Sequence, residues 1–165
     1  MQTAGIIRKI DELGRIVLPK ELRKYLNINP GDDFQISIES EKIILEKYSR
    51  LQNIETELIN LINCFSSVTK NDIYLIINNK IINKENETIT NEIQNLIQER
   101  KIFYKDTNQK LKISNNIISK NKIVINPIIL NSDILGTVII TDNNNLDNLI
   151  SNSKIIENII KMEFM

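Results

Sequence analysis

Histidine and tryptophan are missing from this 165-residue chain, and cysteine occurs once. Without histidine there is no Ser-His or Cys-His catalysis and no histidine-based metal site. With Cys64 alone, no disulfide can form within the chain, and a reducing compartment suits it. Cys64 lies in "LINLINCFSSV", an apolar pattern at helical spacing, where a small buried hydrophobe is expected rather than a nucleophile. Phosphate-cradling glycine motifs are lacking too, so neither an enzyme nor a cofactor is expected. No apolar run approaches the ~18 residues of a membrane span. Charges begin at Arg8, which argues against a signal peptide. Net charge is zero, so the whole-chain charge points to no partner.

Glycine, proline and arginine are scarce, at four, three and five. Yet "GIIRKIDELGRIVLPKELRKYLNINPGD", residues 5–32, holds three of the glycines, two of the prolines and three of the arginines. The rest is dominated by 36 Ile and 24 Asn. Both types have AT-rich codons, so they are discounted as functional signals. Residues 1–25 carry Arg8, Lys9, Arg15, Lys20, Arg23 and Lys24 against Asp11, Glu12 and Glu21, a local charge of +3. A basic patch in a neutral protein is a candidate nucleic-acid footprint, although six charges alone describe an ordinary solvated face equally well.

Residues 5–47 predict short strands broken by turn signals. "GIIRKI" is β-branched and too short for a helix. Gly14 in "DELGR" supplies a left-handed turn residue. "IVLP" is a second short strand ended by Pro19, which suits the start of a helix. "KELRKYLN" gives about two helical turns. Pro30 and Gly31 close it. "DFQISIES" alternates, with Phe34, Ile36 and Ile38 on one face, and "EKIILEK" returns after a turn near Ser40–Glu41. This β-β-α-β-β unit of about 45 residues is near the lower limit for folding alone. Its first two strands are apolar on both faces, so obligate dimerisation is the simplest solution.

From residue 50 the pattern changes. "RLQNIETELINLINCFSSV" predicts a helix that doubles as connector. Strands are expected over 72–79, near 110, over 122–130 and over 134–142, with turns at 78–80 and 131–133. A helix is expected over 88–100 with Thr90 as N-cap, and another over 146–164. The order describes an α+β domain: an antiparallel sheet with the terminal helices on one face.

"TAGIIRKIDELGRIVLPKELRKYLNINPGDDFQISIESEKIILEKY" resembles the SpoVT/AbrB family of swapped-hairpin regulators. Gly5, Arg8, Lys9, Asp11, Gly14, Arg15, Pro19, Lys20, Leu22, Arg23, Leu26, Gly31 and Asp32 carry the likeness. "YSRLQNIETEL" and "VINPIILNSDILGTVIITD" are similar to the linker helix and central hairpin of the sensor domain that some members add. The resemblance implies an N-terminal intertwined swapped-hairpin β-barrel over residues 1–50, dimeric and DNA-binding. It implies a GAF-like domain over 51–165 for oligomerisation, or for regulation by sensing a small-molecule effector. The implied protein is a transcriptional regulator, activator or repressor, of sporulation or a related programme. It would be cytoplasmic and nucleoid-associated, and would act as a homodimer or homotetramer on double-stranded, AT-rich DNA.

The implied DNA contacts are Arg8, Arg15, Arg23 and Lys24, with Lys9 and Lys20 as secondary candidates. Lys24 stands where the family commonly has arginine, which keeps the charge and loses the bidentate fork. Gly14, Pro19 and Gly31 are expected to set backbone conformation. Arg15 follows a turn tip, where a side chain has no packing duty. Arg8 could instead pair with an acid such as Asp11. Asp11 and Glu21 are expected to orient arginines. "KELRKYL" is not half of a helix-turn-helix, because strands follow it directly. The rival readings are an antitoxin with the same fold, and a ligand-sensing or oligomerisation module with weak DNA binding.

Overall fold

A computed structural model describes residues 5–26, 28–48, 50–106, 109–143 and 145–164. Thr3, Ala4 and Asn27, which belong to the expected motif and first helix, lie outside the described residues. The chain divides into two compact units, residues 1–48 and 49–165. The fold is mixed α+β.

In the first unit, α1 (Lys20–Tyr25) starts directly after Pro19, whose carbonyl accepts from Arg23 N at 3.0 Å. Glu21 sits in its first turn and Arg23 and Lys24 in its last, each favourable to the helix dipole. Strands β1 (Phe34–Glu39) and β2 (Lys42–Lys47) form the expected antiparallel hairpin. Its turn places Ser40 at φ 55°. Ile36 faces Leu45 and Ile38 faces Ile43 across the ladder. All four are exposed.

Residues 5–10 and 16–18, expected as two strands, form no strand in this single chain. Segments this short and apolar on both sides are stable only between neighbours, and β1 and β2 pair with each other instead.

The second unit is built around a five-stranded sheet in the order β4-β3-β7-β6-β5, antiparallel throughout. The strands are β3 (Asp72–Ile77), β4 (Lys80–Ile81), β5 (Phe103–Asp106), β6 (Lys122–Leu130) and β7 (Asp133–Asp142). Helices α2 (Glu55–Thr69) and α4 (Leu146–Met162) cover one face. Leu58 and Ile62 of α2 and Leu149, Ile156 and Ile160 of α4 join Leu75, Val124, Val138 and Ile140 in one core. Helix α3 (Asn91–Gln98) covers the other face with Ile93 and Ile97, over Ile76, Ile125 and Ile139. Buried on both faces, β3, β6 and β7 need continuous apolar runs rather than alternation. Thr90 caps α3 as expected, accepting from Ile93 N at 3.4 Å.

Three expectations need correcting. The connector begins as a 3-10 turn over Arg50–Ile54 rather than as α-helix, and it buries Leu51 fully. The segment near 110 is no strand: it folds back on itself, with Leu111 N donating to Ser119 Oγ at 2.8 Å and Ser119 N to the Leu111 carbonyl at 2.8 Å. Cys64 is exposed, on the side of α2 away from Leu58 and Ile62. Among the described residues no helix is long and apolar enough to cross a membrane.

Candidate nucleic-acid interface

The chain from Gly5 to Ile10 forms neither helix nor strand and is exposed, with Arg8 and Lys9 on it. Arg8 Nη1 donates to the carbonyl of its neighbour Ile7 at 3.1 Å. It does not take Asp11 as a partner.

The turn at Asp11–Arg15 is stitched by a single carboxylate. Backbone closes it first, with Gly14 N donating to the Asp11 carbonyl at 2.9 Å and Asp11 N to the Arg15 carbonyl at 3.0 Å. Asp11 Oδ1 then accepts from Leu13 N at 3.0 Å and from Arg15 N at 2.8 Å. Asp11 Oδ2 accepts from Arg15 Nε at 2.8 Å. Gly14 stands at φ 74° with nothing within 4 Å of a would-be Cβ, so glycine is needed for conformation and not for space. The hydrogen bonds from the Arg15 backbone and side chain hold the Asp11 carboxyl below its ordinary value, because they favour its charged form. The pair is exposed, and its energy is correspondingly small. Its effect is geometric: it biases where the guanidinium points.

Lys20, Arg23 and Lys24 lie three and four residues apart on α1, hence on one side of it, and all three are exposed. Pro19 is buried and Leu22 half-buried, which seats the helix on its other side. The six expected basic residues thus fall in two groups: Arg8, Lys9 and Arg15 along the arm and its tip, and Lys20, Arg23 and Lys24 on α1. Among the described residues only Arg15 of the six has a carboxylate partner.

Asp32, one of the residues that carry the family likeness, has a structural task. It accepts from Asn29 N at 2.7 Å and from Lys47 Nζ at 2.9 Å, tying the turn after α1 to the end of β2. Gly31 beside it stands at φ 94°. The "NPGD" spacing contains the signal, since Asp readily closes such turns through its own side chain. Asp32, Asp33, Glu39, Glu41 and Glu46 outnumber Lys42 and Lys47 in the second half of this unit. The basic face is therefore confined to the arm and α1. No group of His, Cys, Asp or Glu able to hold a metal occurs among the described residues.

The comparisons with known proteins follow the same division. The family described as antidote-toxin recognition MazE, bacterial antitoxin, matches residues 7–53. The family described as stage V sporulation protein T C-terminal, transcription factor, matches residues 57–160. The transition state regulatory protein AbrB of Bacillus subtilis is 38% identical over 102 residues, covering 61% of this chain and 98% of the relative. Stage V sporulation protein T of the same organism is 44% identical over 55 residues, 33% of this chain and 31% of the relative. The solution structure of the N-terminal DNA recognition domain of AbrB is 54% identical and covers 29% of this chain and 91% of that one. Its TM-score is 0.26, too low to say anything of the backbone. With one family model spanning the larger part of the chain and one relative matched over nearly its whole length, the chain belongs to the SpoVT/AbrB family of transcriptional regulators.

Proposed function

We propose that the chain regulates transcription by binding double-stranded DNA through a domain over residues 1–50 that is complete only as an intertwined dimer. The observation that carries this is the surface of the first unit. Of seventeen large apolar side chains exposed among the described residues, twelve lie between Ile6 and Leu45. Along the arm and α1 they are interspersed with six exposed basic residues. Solvent does not tolerate such a surface, whereas two copies exchanging hairpins would bury the apolar set and gather both basic sets on one face. The match to the transition state regulatory protein AbrB over nearly its whole length supports the regulatory part of this reading.

Few side chains here can read bases, so selection rests mainly on shape and deformability, with AT-rich tracts the natural target. If about six basic side chains per dimer reach phosphates, log affinity should fall against log salt with a slope on the order of −5. Between about 50 and 200 mM salt that is a loss of roughly a thousandfold. A titration of the full chain on AT-rich duplex measures it, and an affinity indifferent to salt would sink the reading.

The domain over residues 51–165 is read as GAF-like, serving oligomerisation first. On its α3 side the sheet is filled by Ile76, Ile93, Ile97, Ile113, Ile125 and Ile139. This supports an assembly role over an effector pocket. The outward sides of the terminal helices each expose apolar side chains among polar ones, Val68 on α2 and Ile155 and Met162 on α4. Such ridges fit helix-to-helix association of two copies, giving a dimer or a dimer of dimers. Cys64, the sole cysteine, lies one turn before Val68 on α2. A short flexible bismaleimide should therefore couple two chains of the native protein, and C64S should abolish the product. A native protein that stays monomeric after full modification of Cys64 would remove α2 from the interface.

The regulated programme is proposed to be sporulation or a related developmental change, and the site of action the nucleoid. An antitoxin role has the match over residues 7–53 in its favour. The match of 57–160 to a transcription-factor domain weighs against it.

A further inference from the structure

The Asp11 carboxylate lies 2.8 Å from Arg15 Nε, and no other basic residue of the arm or α1 has such a partner among the described residues. From this juxtaposition, and resting on the DNA-binding reading above, we infer that Arg15 reads a base edge, a guanine in the major groove, while Lys20, Arg23 and Lys24 hold phosphates. Asp11 is the positioning residue that makes the difference.

The argument is electrostatic and geometric. A phosphate is attracted by net charge, and the Asp11–Arg15 pair has none. A phosphate approaching Arg15 also meets the Asp11 carboxylate. A base edge is neutral, so it pays no such repulsion and still gains the directed hydrogen bonds. Geometry narrows the choice further. Nε is spent on Asp11, and the turn amides of Leu13 and Arg15 hold that carboxylate in place. The two terminal nitrogens, Nη1 and Nη2, remain as a fork with no acceptor among the described residues. A planar two-donor fork matches O6 and N7 of guanine, the commonest specific contact in the major groove. The unpaired side chains of α1 behave oppositely: each offers full charge and no fixed direction, as phosphate binding requires. A dimer would then read two guanines, one in each half-site, within a tract otherwise chosen by shape.

The test begins with duplexes selected from a random pool by the full-length protein, so no operator need be known in advance. The selected sites should hold one guanine per half-site. Replacing it by 7-deazaguanine, which removes N7 and leaves pairing intact, should weaken wild-type binding on the order of tenfold. The same replacement should leave R15A binding unchanged. R15A should keep the wild-type salt slope, whereas K24A should flatten it by about 2 per dimer. D11N should lose the guanine preference yet bind non-specific DNA more tightly, a combination that a misfolded arm would not give. No effect of 7-deazaguanine on the wild type, or an R15A slope as flat as that of K24A, makes Arg15 a phosphate clamp and overturns the inference. The DNA-binding reading would survive either result. Only a wild-type protein that selects no duplex at all removes both.

Discussion

Replacing Ile38 by aspartate is expected to abolish DNA binding by the full chain and to melt its first unit, although Ile38 is 78% exposed in the single chain. An exposed strand position normally tolerates such a change within about 0.5 kcal/mol. Here the neighbours make the difference. Ile38 stands opposite Ile43, next to the pair Ile36 and Leu45, and all four point away from Gln35, Ser37 and Glu46. If a second copy covers this face, each isoleucine contributes about 1.5–3 kcal/mol by burial. Aspartate would lose that term and add an unpaired buried charge at two symmetry-related places. The control is Gln35→Asp on the opposite face of β1, which should leave binding and melting within error of wild type. Sedimentation, circular dichroism and a DNA titration of the two variants together decide it. An I38D protein that melts and binds like wild type would show the face to be solvated, and the intertwined dimer would fall with it.

The same hairpin shows what a sequence can and cannot disclose. Its register was legible from alternation, because a period of two is intrinsic to a strand. What covers its apolar face was not, since a pattern records that a face must be buried and not by whom. Residues 5–10 and 16–18 illustrate the limit: their β-branched run reads as strand, yet one chain offers them no neighbour. In the second unit, the expected span 122–130 matches β6 to the residue, because a short, β-branched, mostly apolar run bounded by lysine and a turn favours strand over helix. Discounting asparagine hid a structural role. The two-residue turns Asn78–Asn79 and Asn131–Ser132 place all four residues at positive φ, between 48° and 70°. Asparagine tolerates that region better than any residue but glycine, and such turns match the twist of the strands they join. Cys64 was misplaced because helical spacing gives the apolar stripe only to within a position. In the candidate interface, all six basic residues were legible as exposed. The partner of Arg15 was not, because the choice between Arg8 and Arg15 for Asp11 depends on the turn closing at Gly14.

The one glycine of the second unit predicts the largest effect on stability there. Gly136 of β7 is not in the left-handed region, so conformation does not require it. Space does: a Cβ at this position would lie 2.8 Å from Leu51 Cδ1 and 2.9 Å from the Ile76 carbonyl oxygen. The two neighbours differ in how far they can yield. Leu51 is a flexible side chain at the start of the unit, and it can turn aside at a packing cost. The Ile76 carbonyl belongs to β3, whose ladder to β7 pairs Ile76 with Thr137, so moving it breaks the sheet at its centre. Gly136→Ala is therefore expected to cost about 1–3 kcal/mol as an overpacked site. At about 3–5 °C per kcal/mol, between the values for smaller and larger domains, that is readily seen in a melt. Gly136→Val should prevent the second unit from folding. A double variant separates the two causes. If Leu51 were the obstacle, Leu51→Ala would rescue Gly136→Ala. If the carbonyl is, Leu51→Ala adds its own loss of about 2–5 kcal/mol for a cavity and rescues nothing. The second outcome is expected, because the immovable neighbour sets the cost. Rescue by Leu51→Ala would show instead that β3 and β7 can shift past each other at this point.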